Sequence, residues 1–148
     1  MQELVFGTYP SWSHLVVRLM LGAIFFAHGA QKVFGWFGGP GLTKTIAGFR
    51  QMNIPAAATV TAACIECFGG LAMIIGLLAR PVALALIAVM LVAIKKVHAR
   101  HGFFLNWSLT PAQGHGYEFN LALIAMALST LIGGAGVLSI DELIAPWP

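Results

Sequence analysis

Charge is what this sequence has least of. Its 148 residues include eight Lys or Arg and five Asp or Glu, 9% in all, where a soluble domain carries about a quarter. With 59% of its residues hydrophobic, so short a chain has too much surface for its volume to hide them all from water. A bilayer removes the difficulty by solvating apolar faces. Cysteine is nearly absent too. The two present, Cys64 and Cys67, lie inside an apolar segment and say nothing of an oxidising compartment. The net charge of +3 is too small to suggest nucleic acid; it suits basic loops beside anionic lipid headgroups. No basic n-region precedes the first apolar run, so a retained signal anchor is expected instead of a cleaved peptide. There is no phosphate loop, dinucleotide fingerprint, Ser-His-Asp triad or His-x-x-x-His metal spacing.

What is present is a series of long apolar runs. A span of about 20 residues cuts out four segments, about 13–34, 56–78, 81–97 and 117–138, in one domain covering 1–148. Backbone groups in lipid must be satisfied within the segment, so the segments are helices and an open sheet is excluded. The predicted fold is all-α: an integral membrane bundle of four antiparallel transmembrane helices, with two long loops on one face. Ala79-Arg80 links the second and third helices tightly. In the first long loop Leu42, Ile46 and Phe49 recur at helical spacing between Lys44 and Arg50, which suits an interfacial helix over about 41–52 or an ordinary structured loop. The second holds Phe103, Phe104 and Trp107, residues of an interfacial belt or a partly re-entrant loop. Lys32, Lys44, Arg50, Lys95, Lys96 and Arg100 share the long-loop end, against Arg80 at the other. The positive-inside rule then places the long loops in the cytoplasm and both termini outside.

Ionisable side chains in lipid are costly and ask for a reason. On the first helix Arg18, His28 and Lys32 fall within one stripe about 80° wide. Glu66 is the one such residue of the second helix. His98 leaves the third and Glu118 opens the fourth. By helical rise, His28 lies roughly 9 Å and Glu66 roughly 15 Å from the long-loop end, with Arg18 roughly 10 Å deeper on a long side chain. His28, Lys32, Glu66, His98 and Glu118 can therefore converge on the long-loop half of the bundle. Two readings compete at even weight: an ion-pair network in which Arg18 or His28 neutralises Glu66, and a ligand site. Lys95 and Lys96 suit snorkelling to headgroups. A haem between His28 and His98 has only a two-histidine signal and is not expected. His101 and His115 read as solvated or as part of a cover over the site. Cys64-Ile65-Glu66-Cys67 has redox spacing, but thiolates are disfavoured mid-helix in lipid, and packing is the preferred account. Gly22, Gly29, Gly69, Gly70 and Gly76 allow close helix approach.

The order Arg18, Gly22, His28-Gly29, Lys32, then Phe37-Gly38-Gly39-Pro40-Gly41-Leu42, resembles the opening of the DoxX family. Glu66, Gly69-Gly70 and Gly76 resemble its second helix. His98, Gly102-Phe103-Phe104, Gly116-Tyr117-Glu118, Gly136, Ser139 and Asp141 resemble its later part, so the likeness runs from Arg18 to Asp141. It implies a small four-helix protein of the inner (plasma) membrane, described in this family as an oxidoreductase or as a membrane subunit of a quinone-linked redox complex. The expected function is therefore a redox-associated subunit that binds quinone or a similar lipophilic molecule. His28 and Glu66 are the expected catalytic, proton-exchanging residues, and Arg18, Lys32, His98 and Glu118 the expected ligand-binding ones. No flavin, haem or iron–sulfur motif is visible, so a soluble redox partner is implied beside the lipid. An assembly anchor, a transporter relaying protons through Arg18, His28 and Glu66, and a homo-oligomer remain open.

Overall fold

A computed structural model describes residues 2–145. It is helical throughout, with no strand among the described residues. The helices are α1 (Gln2–Phe6), α2 (Trp12–Val33), α3 (Gly41–Gln51), α4 (Ala56–Ile75), α5 (Ala79–His101), α6 (Glu118–Gly133) and α7 (Ile140–Ile144). Three of them, α2, α4 and α5, are long and apolar enough to cross a membrane. α6 is apolar but has 16 residues, about 24 Å of rise against a hydrocarbon core of about 30 Å.

Local chemistry sets most of these bounds. Ser11, in extended conformation, caps α2 by accepting from the His14 N–H, a standard use of serine at a helix start. Extended Pro55 opens α4. Gly76, at φ +70°, ends it, three residues before the expected limit, because a left-handed residue cannot continue a right-handed helix. α5 starts at Ala79, and Pro81 falls within its first turn, where a missing N–H costs nothing. It runs on to His101, four residues past the expected end. α6 stops at Gly133, short of the expected Leu138, because Gly134 adopts φ +79°, ψ −162°.

The bundle is held by close packing. A Cβ on Gly29 would lie 2.2 Å from the Cys67 backbone nitrogen, and one on Gly70 would lie 2.4 Å from that of Phe26. Only glycine lets α2 and α4 approach so closely. Leu21, Phe25, Met73, Leu86, Leu123 and Ala127 belong to the central core. Leu19, Met20, Leu84, Leu91, Val92, Leu128 and Ile132 point outward and are exposed, an apolar perimeter that suits lipid.

Cross-contacts fix the helix directions. Arg18, early in α2, binds carbonyls at the end of α4 and just past α6. Lys32, late in α2, meets Glu66 at the middle of α4. The end of α2, the start of α4, the end of α5 and the start of α6 therefore share one end of the molecule, with both long loops. α3 carries Leu42, Ile46 and Phe49 half-buried and Thr43, Lys44, Ala47 and Arg50 exposed, the amphipathic pattern read from the sequence. The second loop folds back on itself. Gly116, Tyr117 and Glu118 donate their N–H groups to the carbonyls of Phe104, Gly102 and Phe103. At the opposite end Asp141 is fully buried and accepts from the Leu78 and Ala79 N–H groups, 2.8 Å each, capping α5 from a distance. Burial pushes the Asp141 carboxyl up from its ordinary range, while those two backbone donors pull it down.

Candidate functional site

A cavity of about 680 Å³ opens at the long-loop end, within the range of small-molecule sites. α2 turns Ile24, His28 and Lys32 toward it at four-residue spacing, with Phe25 beside them. Glu66 comes from α4, Met90 and His98 from α5, and Phe119, Asn120 and Leu123 from α6. The second loop covers it with Leu105–Trp107, Leu109, His115 and Gly116. Four of the six residues singled out from the sequence, His28, Lys32, Glu66 and His98, thus line one space.

Two of them sit on irregular helix. Ile65–Gly69 in α4 and Ile94–His98 in α5 are π-helical turns. Each such turn inserts an extra residue and redirects the side chains after it, a feature common at functional sites. The first carries Glu66 and the second ends on His98.

Lys32 and Glu66 form an ion pair, with Nζ 2.6 Å and 2.5 Å from the two carboxylate oxygens. It is the only ion pair among the described residues. Glu66 is almost wholly buried, its side chain 4% exposed against 25% for Lys32. The Lys32 ammonium also stands 5.9 Å above the Phe49 ring of α3. The partner of Glu66 is therefore Lys32, where the sequence pointed to Arg18 or His28. The Lys32 charge is met by Glu66, so it acts on a ligand only as half of a neutral pair.

The histidines are differentiated by their bonds. His98 Nδ1 lies 2.9 Å from the His115 carbonyl oxygen. A carbonyl can only accept, so Nδ1 carries the proton. The Asn106 N–H donates to His115 Nδ1 at 3.3 Å, so that nitrogen is bare. Buried Asn106 also ties the cover together through its side chain, which donates to the carbonyls of Thr110 and Gln113 and accepts from the Thr110 N–H. His28 is exposed to the open space.

Two residues are placed elsewhere than expected. Glu118 does not line the cavity; its carboxylate accepts from the Leu105 N–H at 2.8 Å and clasps the base of the cover. Arg18 lies at the other end of the bundle, 1% exposed. Its guanidinium donates to the carbonyls of Ala135, Met73, Ile74, Val137 and Leu138. The segment after Gly133 bends back to supply three of these acceptors, which the expected continuous helix could not. Arg80, at the same end, binds the Gly7 and Ile132 carbonyls. Cys64 and Cys67 are unbonded thiols, and Cys67 sits where α4 touches Gly29, a packing position. Among the described residues no three His, Cys, Asp or Glu come together as a metal group.

Asn106 and Asn120 line the cavity without having been singled out, and His115, read from the sequence as solvated or as part of a cover, lines it from the second loop. Asn120 had a signal, as an amide near the start of a long apolar helix. Asn106 depends on a loop conformation that periodicity does not encode.

The family model described as DoxX matches residues 13–99, which takes in nearly all of α2 to α5 and with them Arg18, His28, Lys32, Glu66 and His98. No curated protein and no solved structure matches the chain.

Proposed function

The chain belongs to the DoxX family and is a membrane protein, and from that premise we propose that it is a redox-associated subunit binding a quinone-like lipophilic molecule in the cavity between its helices. The supporting observation is the cavity itself: apolar walls with His28, His98, Asn120 and the Lys32–Glu66 pair gathered at one end of the bundle. A quinone needs a flat apolar slot and a few hydrogen-bonding groups at its oxygens. Phe25, Met90, Phe119 and Leu123 offer the slot. In this reading His28 exchanges a proton with the ligand, and Glu66 is the second exchanging group when Lys32 swings aside. A soluble redox partner exchanges electrons with the ligand from the basic long-loop end. That end faces the cytoplasm and the protein resides in the plasma membrane, following the positive-inside count. The alternative of a transmembrane proton relay loses Arg18, whose donors are all spent on carbonyls.

Binding of a quinone analogue to purified protein in mild detergent tests the reading. His28→Ala and Glu66→Gln are expected to weaken binding about tenfold or more. Lys44→Ala, on the exposed face of α3, is expected to leave it unchanged. If no quinone binds, or if Lys44→Ala matters as much as His28→Ala, a non-catalytic anchor for a cytoplasmic partner becomes the better reading.

A further inference from the structure

The hydrogen-bonding roles of His98, His115 and Asn120 in the cavity are fixed before any ligand arrives. His98 gives its Nδ1–H to the His115 carbonyl, so in the neutral ring the remaining nitrogen, Nε2, is a bare acceptor. His115 receives the Asn106 N–H on Nδ1, so its neutral ring carries a proton on Nε2 and is a donor. Both residues line the cavity, linked by the bond from the His98 ring to the His115 carbonyl. Asn120 is 6% exposed and directs its Nδ2 toward the Met90 sulfur at 3.4 Å. A thioether can only accept, so this fixes the amide's orientation and leaves Oδ1, a second acceptor, with no partner among the described residues. Lys32, the strongest donor present, directs two of its three N–H groups to the oxygens of Glu66. Asn106 has spent its amide on the cover.

Resting on the reading that this cavity takes a quinone-like ligand, we propose that it selects the reduced, hydroxyl-bearing form, a hydroquinone, over the corresponding quinone. A phenolic hydroxyl donates to His98 Nε2 and accepts from His115 Nε2–H at once. A second hydroxyl donates to Asn120 Oδ1. A quinone carbonyl accepts only, so it leaves both acceptors desolvated and unpaired. Sites built to pair a hydroxyl reject analogues that lack it far more strongly than apolar pockets reject a small change of shape. The Lys32–Glu66 pair is neutral overall, which suits an uncharged hydroquinone and disfavours a phenolate or an anionic headgroup.

The test is binding of three probes to the purified protein under reducing, anaerobic conditions: a prenylated hydroquinone, its dimethyl ether, and, without reductant, the matching quinone. The hydroquinone is expected to bind about tenfold or more tightly than either of the others. His98→Asn keeps a donor where Nδ1–H stood, holding the cover in place, and deletes the Nε2 acceptor; the preference should fall below about threefold. Asn120→Leu, which keeps the volume, should lower it independently. A quinone that binds as tightly as the hydroquinone, or a preference untouched in both variants, overturns the assignment while leaving the cavity reading intact. Failure of all three probes to bind overturns the cavity reading itself, and this preference with it.

Discussion

Arg18 offers the sharpest test of the architecture. Its guanidinium satisfies five carbonyls and, among the described residues, faces no carboxylate within ion-pair distance. Met73 and Ile74 belong to the last turn of α4, where carbonyls have no partner inside the helix. Ala135, Val137 and Leu138 lie in the segment after α6. The side chain therefore joins two helix ends, beside the bond from the Asp141 N–H to the Gly76 carbonyl. Hydrogen bonds to a charged group contribute about 1.5–3 kcal/mol each, less than additively. Lysine has three donors on one nitrogen, so Arg18→Lys loses at least two bonds, about 3 kcal/mol. Arg18→Met loses all five and leaves buried acceptors, a cost above about 5 kcal/mol, at the exceptional end for one substitution. At about 2–4 °C per kcal/mol for a chain this size, Tm should drop by about 6–12 °C in the lysine variant and further in the methionine one. Thermal unfolding in mild detergent, followed by size-exclusion fluorescence, reads this directly. Ligand binding by Arg18→Lys, measured well below its Tm, should match the wild type. A methionine variant melting within about 2 °C of the wild type, or a lysine variant that folds normally but has lost the ligand, would refute the reasoning.

Two further outcomes are expected. Breaking the Lys32–Glu66 pair from one side, by Lys32→Met or Glu66→Gln, should cost about 3–5 kcal/mol of stability, and the double variant Lys32→Met with Glu66→Met should recover much of it; additive losses in a double-mutant cycle would show the two charges to be independent. A cysteine at Lys44, on a background without Cys64 and Cys67, should react with impermeant thiol reagents only from the cytoplasmic side, and labelling from outside alone would reverse the proposed orientation.

The sequence carried the helices because hydropathy and span length are linear properties. It carried the meeting of His28, Lys32, Glu66 and His98 because alternating helices bring the same ends together. Arg18 was misplaced by the same helical wheel that placed its neighbours. It shares their stripe but stands 14 residues before Lys32, about 21 Å along the axis. Its acceptors come from a bend after Gly133 that breaks the expected helix. Glu118 looked like a site residue because it opens α6 at the right end, but a loop that doubles back takes its carboxylate. Neither π-helical turn was legible, since the 3.6-residue period that defines a helix in sequence is the property such a turn interrupts.

The neutral pair at the cavity bears on membrane voltage. A full charge crossing the bilayer exchanges about 2.3 kcal/mol per 100 mV with the transmembrane potential. Lys32 and Glu66 are bonded at 2.5–2.6 Å and together present no net charge to that field, and an uncharged ligand adds none. Arg18 does feel the field, but five carbonyls hold it in place, so it cannot convert voltage into motion. On the proposed reading, binding and release of an uncharged ligand beside this intact pair move no net charge through the field, so occupancy of the site is expected to follow the concentration of ligand dissolved in the lipid.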